Sequence, residues 1–150
     1  MSNLPVYIAT FLAYGVLSVI FLRAQYAGNA ETLNRGLWGN AVLLPLALHG
    51  YLLYSNLWTA GALNLGLVLA LSLIWWLTIL VYWLAHFYYS LASLKALVLP
   101  LAGVGAMLPL FFAGARVMPQ ASSWAFDAHV LAAMLAYSLF TIAALHAALM

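Results

Sequence analysis

An all-α, polytopic membrane helix bundle is the architecture this sequence predicts, and three observations carry that prediction. Of its 150 residues, 69% are hydrophobic and 4% are charged. A soluble domain carries about a quarter charged residues, so this chain has too few polar groups to cover its own surface. Its apolar residues fall in continuous runs close to the length that crosses a bilayer, about 20 residues. These runs are rich in Leu and Ala and lack the period-two alternation of a barrel strand.

Five segments qualify as spans, forming a single transmembrane domain over residues 1–150: 5–22, closed by Arg23, then 39–56, 64–86, 94–113 and 127–150. Polar or Gly/Pro-bearing breaks separate them: 23–38 with Glu31 and Arg35, 57–61, 87–93, and 114–126 with Arg116 and Pro119. The N-terminal stretch Met1-Ser-Asn-Leu-Pro5 has no basic region, and no small-residue cleavage site follows the first run. The first run therefore reads as a retained span and not as a signal peptide.

Five spans put the termini on opposite faces. Arg23 and Arg35 fall in the first loop and Lys95 at the third, on one face, while Arg116 in the fourth loop lies opposite. Cytoplasmic loops carry the excess of Lys and Arg, so the first face is expected to be cytoplasmic, with the N-terminus outside and the C-terminus inside. Asp127 and His129 then sit at the outer mouth of the fifth span, with Trp124 at interface level. His49 lies some ten residues into the second span, roughly 15 Å deep at 1.5 Å per residue. His86 and His146 come out near the cytoplasmic interface.

Composition and motif content exclude several classes. With no cysteine there is no disulfide and no thiolate metal site. Four dispersed Lys and Arg residues cannot neutralise a run of phosphates, so nucleic acid is not an expected partner. The chain's two acidic residues fall on opposite sides of the bilayer, so no carboxylate pair can share a proton. No Gly-x-Ser-x-Gly, P-loop or His-Glu-x-x-His motif occurs.

An ionisable side chain inside a membrane marks a site by default, and His49 is the clearest instance. Pro45, one turn before it, invites a kink, and Gly50, directly after it, would let a flat ligand or another backbone approach. The alternative is a neutral histidine hydrogen-bonded to a neighbouring helix. His129 beside Asp127 reads either as a functional group or as a solvated helix start capped by the aspartate. Tyr137 follows two turns later, and a buried tyrosine hydroxyl needs a partner. His86 and His146 read as interfacial anchors. Trp75, Trp76 and Trp83 read as packing residues. The small-residue series Ala102/Ala106 and Ala128/Ala132/Ala136 read as surfaces for close helix contact. Neutral imidazole can ligate a metal or haem iron, and an aromatic, apolar wall suits a flat porphyrin.

Ser123-Trp124, His129-Val130 and Tyr137-Ser-Leu-Phe140, leading into Thr141-Ile-Ala-Ala-Leu145, resemble the outer-histidine helix of the cytochrome c assembly family, the CcsA-like haem-handling membrane proteins. His49-Gly-Tyr-Leu-Leu-Tyr54 followed by Leu63-Asn-Leu-Gly66 is similar to the helix pair bearing that family's intramembrane histidine. The resemblance runs over nearly the whole chain and is closest to the smaller YpjD/HemX-type inner-membrane branch. It implies a haem cofactor, with His129 an outer-face iron ligand, His49 an intramembrane one, and Trp124 and Tyr137 beside the haem. It also implies residence in a bacterial inner (plasma) membrane, and partners among other cytochrome biogenesis components or a second chain. The family's tryptophan-rich external loop is not found here, and the chain resembles the N-terminal part of such a protein. The expected activity is binding or passing haem, with no bond-making by the chain itself. Two rival readings are a non-haem membrane scaffold or regulator and a small-solute transporter subunit. Pro45, Pro100 and Pro109 suggest the latter, although no internal repeat supports it.

Overall fold

The computed structural model describes residues 3–59, 62–89, 92–112 and 124–148. Its helices are α1 (Leu4–Tyr26), α2 (Ala30–Arg35), α3 (Leu37–Ala41), α4 (Leu43–Leu57), α5 (Leu67–Ala85), α6 (Ala92–Phe111) and α7 (Trp124–Ala148). Between α4 and α5 a two-residue antiparallel pairing joins β1 (Trp58–Thr59) to β2 (Ala62–Leu63), with Trp58 opposite Leu63. The architecture is all-α, and five helical segments are long and apolar enough to cross a membrane: α1, α3 with α4, α5, α6 from Leu94, and α7. Arg116, Pro119, Ser123 and the expected span ends at Ala113 and Met150 lie outside the described residues.

Span boundaries shift from the expected ones for identifiable reasons. α1 runs on through Arg23 to Tyr26, because a cation in the last turn is favourable at a helix C-terminus. It stops where Gly28 takes a left-handed φ of 70°. There Asn29 N–H donates to Ala24 O and Gly28 N–H to Gln25 O, a Schellman closure. The first loop is not wholly irregular, since α2 forms inside it with Glu31 at its start and Arg35 at its end. The kink expected near Pro45 is a break at Val42, between α3 and α4. A proline ring clashes with the carbonyl four residues back, which here is Ala41, the last residue of α3. α7 begins at Trp124, so Asp127 lies in its first turn and is not an N-cap. The aspartate favours that end through the helix dipole.

α1, α4, α5 and α6 close a ring in which α1 packs on α4 and α6, and α5 packs on the same two. Neighbours run antiparallel, as cross-contacts show. Tyr7 meets Asn56 and Tyr14 meets His49 between α1 and α4, while Asn40 meets Trp83 and His49 meets Ser72 along α3–α4 and α5. The core inside the ring is built from Tyr14, Phe21, Val42, Leu46, Ile79 and Leu99 with their neighbours. Ala102 and Ala106 are buried, as close helix approach requires. Gly105 lets the Trp75 ring lie directly on α6, since a Cβ there would stand 2.7 Å from Trp75 Cγ.

α7 packs on α5 outside this ring, and 6% of its apolar window is buried, against 28–44% for the other spans. Ala128, Ala132 and Ala136, expected to line a helix contact, are exposed on it. Tyr82, near the end of α5, stacks at 6.3 Å on His146, near the end of α7, so these two packed helices run parallel.

One contact shows how this bundle tolerates proline. Pro100 sits inside α6 and supplies no N–H to the carbonyl of Ala96, four residues back. Ser18 Oγ on α1 donates to that carbonyl at 3.0 Å. Freed backbone groups in membrane helices are re-satisfied by such hydroxyls. Ser18→Ala is expected to destabilise the protein by ~0.6–1.7 kcal/mol, the range of interhelical hydrogen bonds in membrane proteins. In a Pro100→Ala background, where the backbone N–H returns, the same change is expected to be close to neutral. Thermal unfolding of the single and double variants in detergent measures the difference.

Candidate functional site

The interior of the ring holds one histidine, His49, with no exposed surface. Its Nε2 is 3.0 Å from Ser72 Oγ on α5, and its Nδ1 is 3.4 Å from Tyr14 Oη on α1. The Tyr14 ring meets the imidazole edge-on at 6.0 Å and 87°. Tyr14 and Ser72 are themselves buried. A neutral imidazole has one donor and one acceptor nitrogen, and hydroxyls can serve either. The three side chains thus form a closed, uncharged polar set joining three helices.

Gly50 does admit a flat ring to this region, and the ring is the protein's own. The Trp76 indole Nε1 lies 3.1 Å from where a Gly50 Cβ would stand, and it donates to Leu46 O at 2.8 Å. Trp83, two turns along the same face of α5, donates to Asn40 Oδ1 at 3.2 Å. Both tryptophans pin α5 to α3 and α4, as a packing role requires.

The residues expected around a haem are not gathered into one place. Trp124, Asp127, His129 and Tyr137 are all exposed on α7, which is not in the ring that encloses His49. At about 100° per residue, Trp124 lies about 140° around the helix from His129. Using the Tyr82–His146 stack as a gauge, Ala136 is level with Ser72 and therefore with His49. His129 is seven residues nearer the start of α7, roughly 10 Å from that level. The two histidines thus occupy different depths.

Iron needs a nitrogen lone pair and room for the macrocycle. His49 does not fit that demand as it stands, because both nitrogens are engaged by Tyr14 and Ser72. His129 fits the first requirement, being exposed and carrying no hydrogen bond within the described residues.

A second polar cluster, not anticipated from the sequence, lies at the other depth extreme. A cavity of about 520 Å³ is walled by Glu31, Arg35, Asn40 and His86, with the aromatic run Phe87–Tyr89 completing it. Gly39 stands behind it. Its carbonyl receives Lys95 Nζ at 3.5 Å, and a Cβ on it would lie 3.4 Å from His86 Nε2. Lys95, expected in the third loop, is inside the first turns of α6 and 3% exposed, with its ammonium 5.3 Å from the Phe21 ring centre. His86 Nδ1 bonds the carbonyl of Trp83, and its Nε2 lies towards Gly39. No signal in the linear order announces this site, because its walls come from residues some fifty positions apart.

Ser72→Ala is expected to cost about 1–3 kcal/mol by leaving a buried ring nitrogen unpaired. His49→Leu combined with Ser72→Ala is expected to cost less than the sum of the two single changes. Equilibrium unfolding of the three variants gives that coupling, and additive losses would show that the two side chains do not interact. No family model, curated protein or solved structure matches this chain.

Proposed function

We propose that the protein is a haem-handling, multi-pass membrane protein of the cytochrome c assembly type, seated in a bacterial inner membrane, with His129 as the ligand it offers. The reading rests on the resemblance carried by the histidine segments. The observation that supports it is the exposed imidazole of His129 near the start of α7, unengaged within the described residues. Bound haem would supply an iron centre that a cytochrome can receive. The chain's own part is to hold an imidazole at the membrane surface and to keep α7 aligned on α5 through Tyr82 and His146. In this orientation the Arg23, Arg35 and Lys95 end faces the cytoplasm, and other biogenesis components or a second chain would meet the exposed side of α7.

A scaffold without haem is the second reading, and one observation favours it: His49 is already satisfied by Tyr14 and Ser72. In that case its role is to lock three helices together.

Absorption spectra of protein purified from haem-replete cells separate the two. The haem reading expects a Soret band that His129→Ala abolishes, with His49→Ala acting chiefly on stability. A chain without the band, or a band indifferent to His129→Ala, favours the scaffold.

A further inference from the structure

We propose that the cavity behind Arg35 and His86 binds the head group of a zwitterionic, amine-bearing phospholipid. The inference is independent of haem. The cavity lies where α3 begins at Leu37 and α5 ends at Ala85, the level at which apolar spans give way to the head-group layer. Exposed rings of Phe87, Tyr88 and Tyr89 line it, as in the aromatic belts of membrane interfaces.

The wall chemistry is two-signed. Arg35 Nε and Glu31 Oε1 stand 3.5 Å apart, with side chains 76% and 39% exposed. An ion pair this open is worth little by itself, so a ligand can exchange for it at small cost. The guanidinium meets Glu31 through Nε, leaving the two terminal nitrogens as a fork suited to a phosphodiester. The acceptors match the other half of the ligand. Glu31 offers a carboxylate, while the tyrosine faces attract an ammonium group. A purely anionic head group would leave Glu31 facing like charge. Phe87 in the cavity wall is 58% exposed, which gives acyl chains an apolar surface and favours a lipid over a soluble phosphoamine.

Native mass spectrometry of delipidated protein re-supplied with phosphatidylethanolamine or phosphatidylglycerol tests the proposal. One phosphatidylethanolamine per chain is expected, undisplaced by free phosphoethanolamine. Arg35→Gln and Glu31→Gln should each weaken retention about tenfold or more, as loss of a charge-assisted hydrogen bond does. Arg23→Gln, an exposed cation at the same end but outside the cavity, should leave it unchanged. An equal loss in Arg23→Gln would mean diffuse surface attraction and would overturn the proposal. Tighter retention in Glu31→Gln would overturn it in favour of an anionic lipid, and displacement by phosphoethanolamine in favour of a soluble ligand.

Discussion

A polar group inside a bilayer has no water to turn to, and in this bundle several buried ones are answered by a different helix. The central case is His49. Its two nitrogens reach Tyr14 on α1 and Ser72 on α5, so a single side chain fixes the relative height of three of the four ring helices. Apolar packing alone could not do that. Lipid tails are as apolar as leucine, and sliding one helix past another changes little in contact energy. The polar contacts select one register, and the small residues then allow the helices to close on it.

The same logic repeats towards both ends of the ring. Asn56 Nδ2 donates to Tyr7 Oη at 2.9 Å, and Asn3 Nδ2 donates to Ser55 Oγ at 3.3 Å. These contacts tie α1 to α4 at one extreme. At the opposite extreme the Gly39 carbonyl takes up the Lys95 ammonium. Three cations, Arg23, Arg35 and Lys95, therefore share one end of the molecule, each on a different helix. That end also carries the polar cavity, while the exposed His129 is at the other.

Much of this was legible in the sequence, because the relevant signals are local. The number of spans follows from the length of apolar runs, and burial of His49 follows from its position within one. Trp76 and Trp83 could be assigned to packing from their seven-residue spacing. What escaped sequence reasoning depends on pairings between distant segments. That Ser18 answers a carbonyl freed by Pro100 requires knowing that α1 lies along α6. The fate of Lys95 likewise depends on Gly39 being opposite it. The Ala128/Ala132/Ala136 series shows the converse error, since small residues at helical spacing permit close contact without specifying a neighbour. Nothing in the linear order joins Glu31 to Tyr89.

The union of α1 with α6 has a consequence for how the chain is made. Ser18 meets its carbonyl partner 78 residues later, whereas Tyr14 meets His49 after 35. The first span therefore enters the lipid long before the surface that completes it has left the ribosome. Until then its hydroxyl can turn back only to its own backbone, and two intervening spans must be threaded first. Closure of the ring is thus a late event in biosynthesis, governed by arrival of the fourth span.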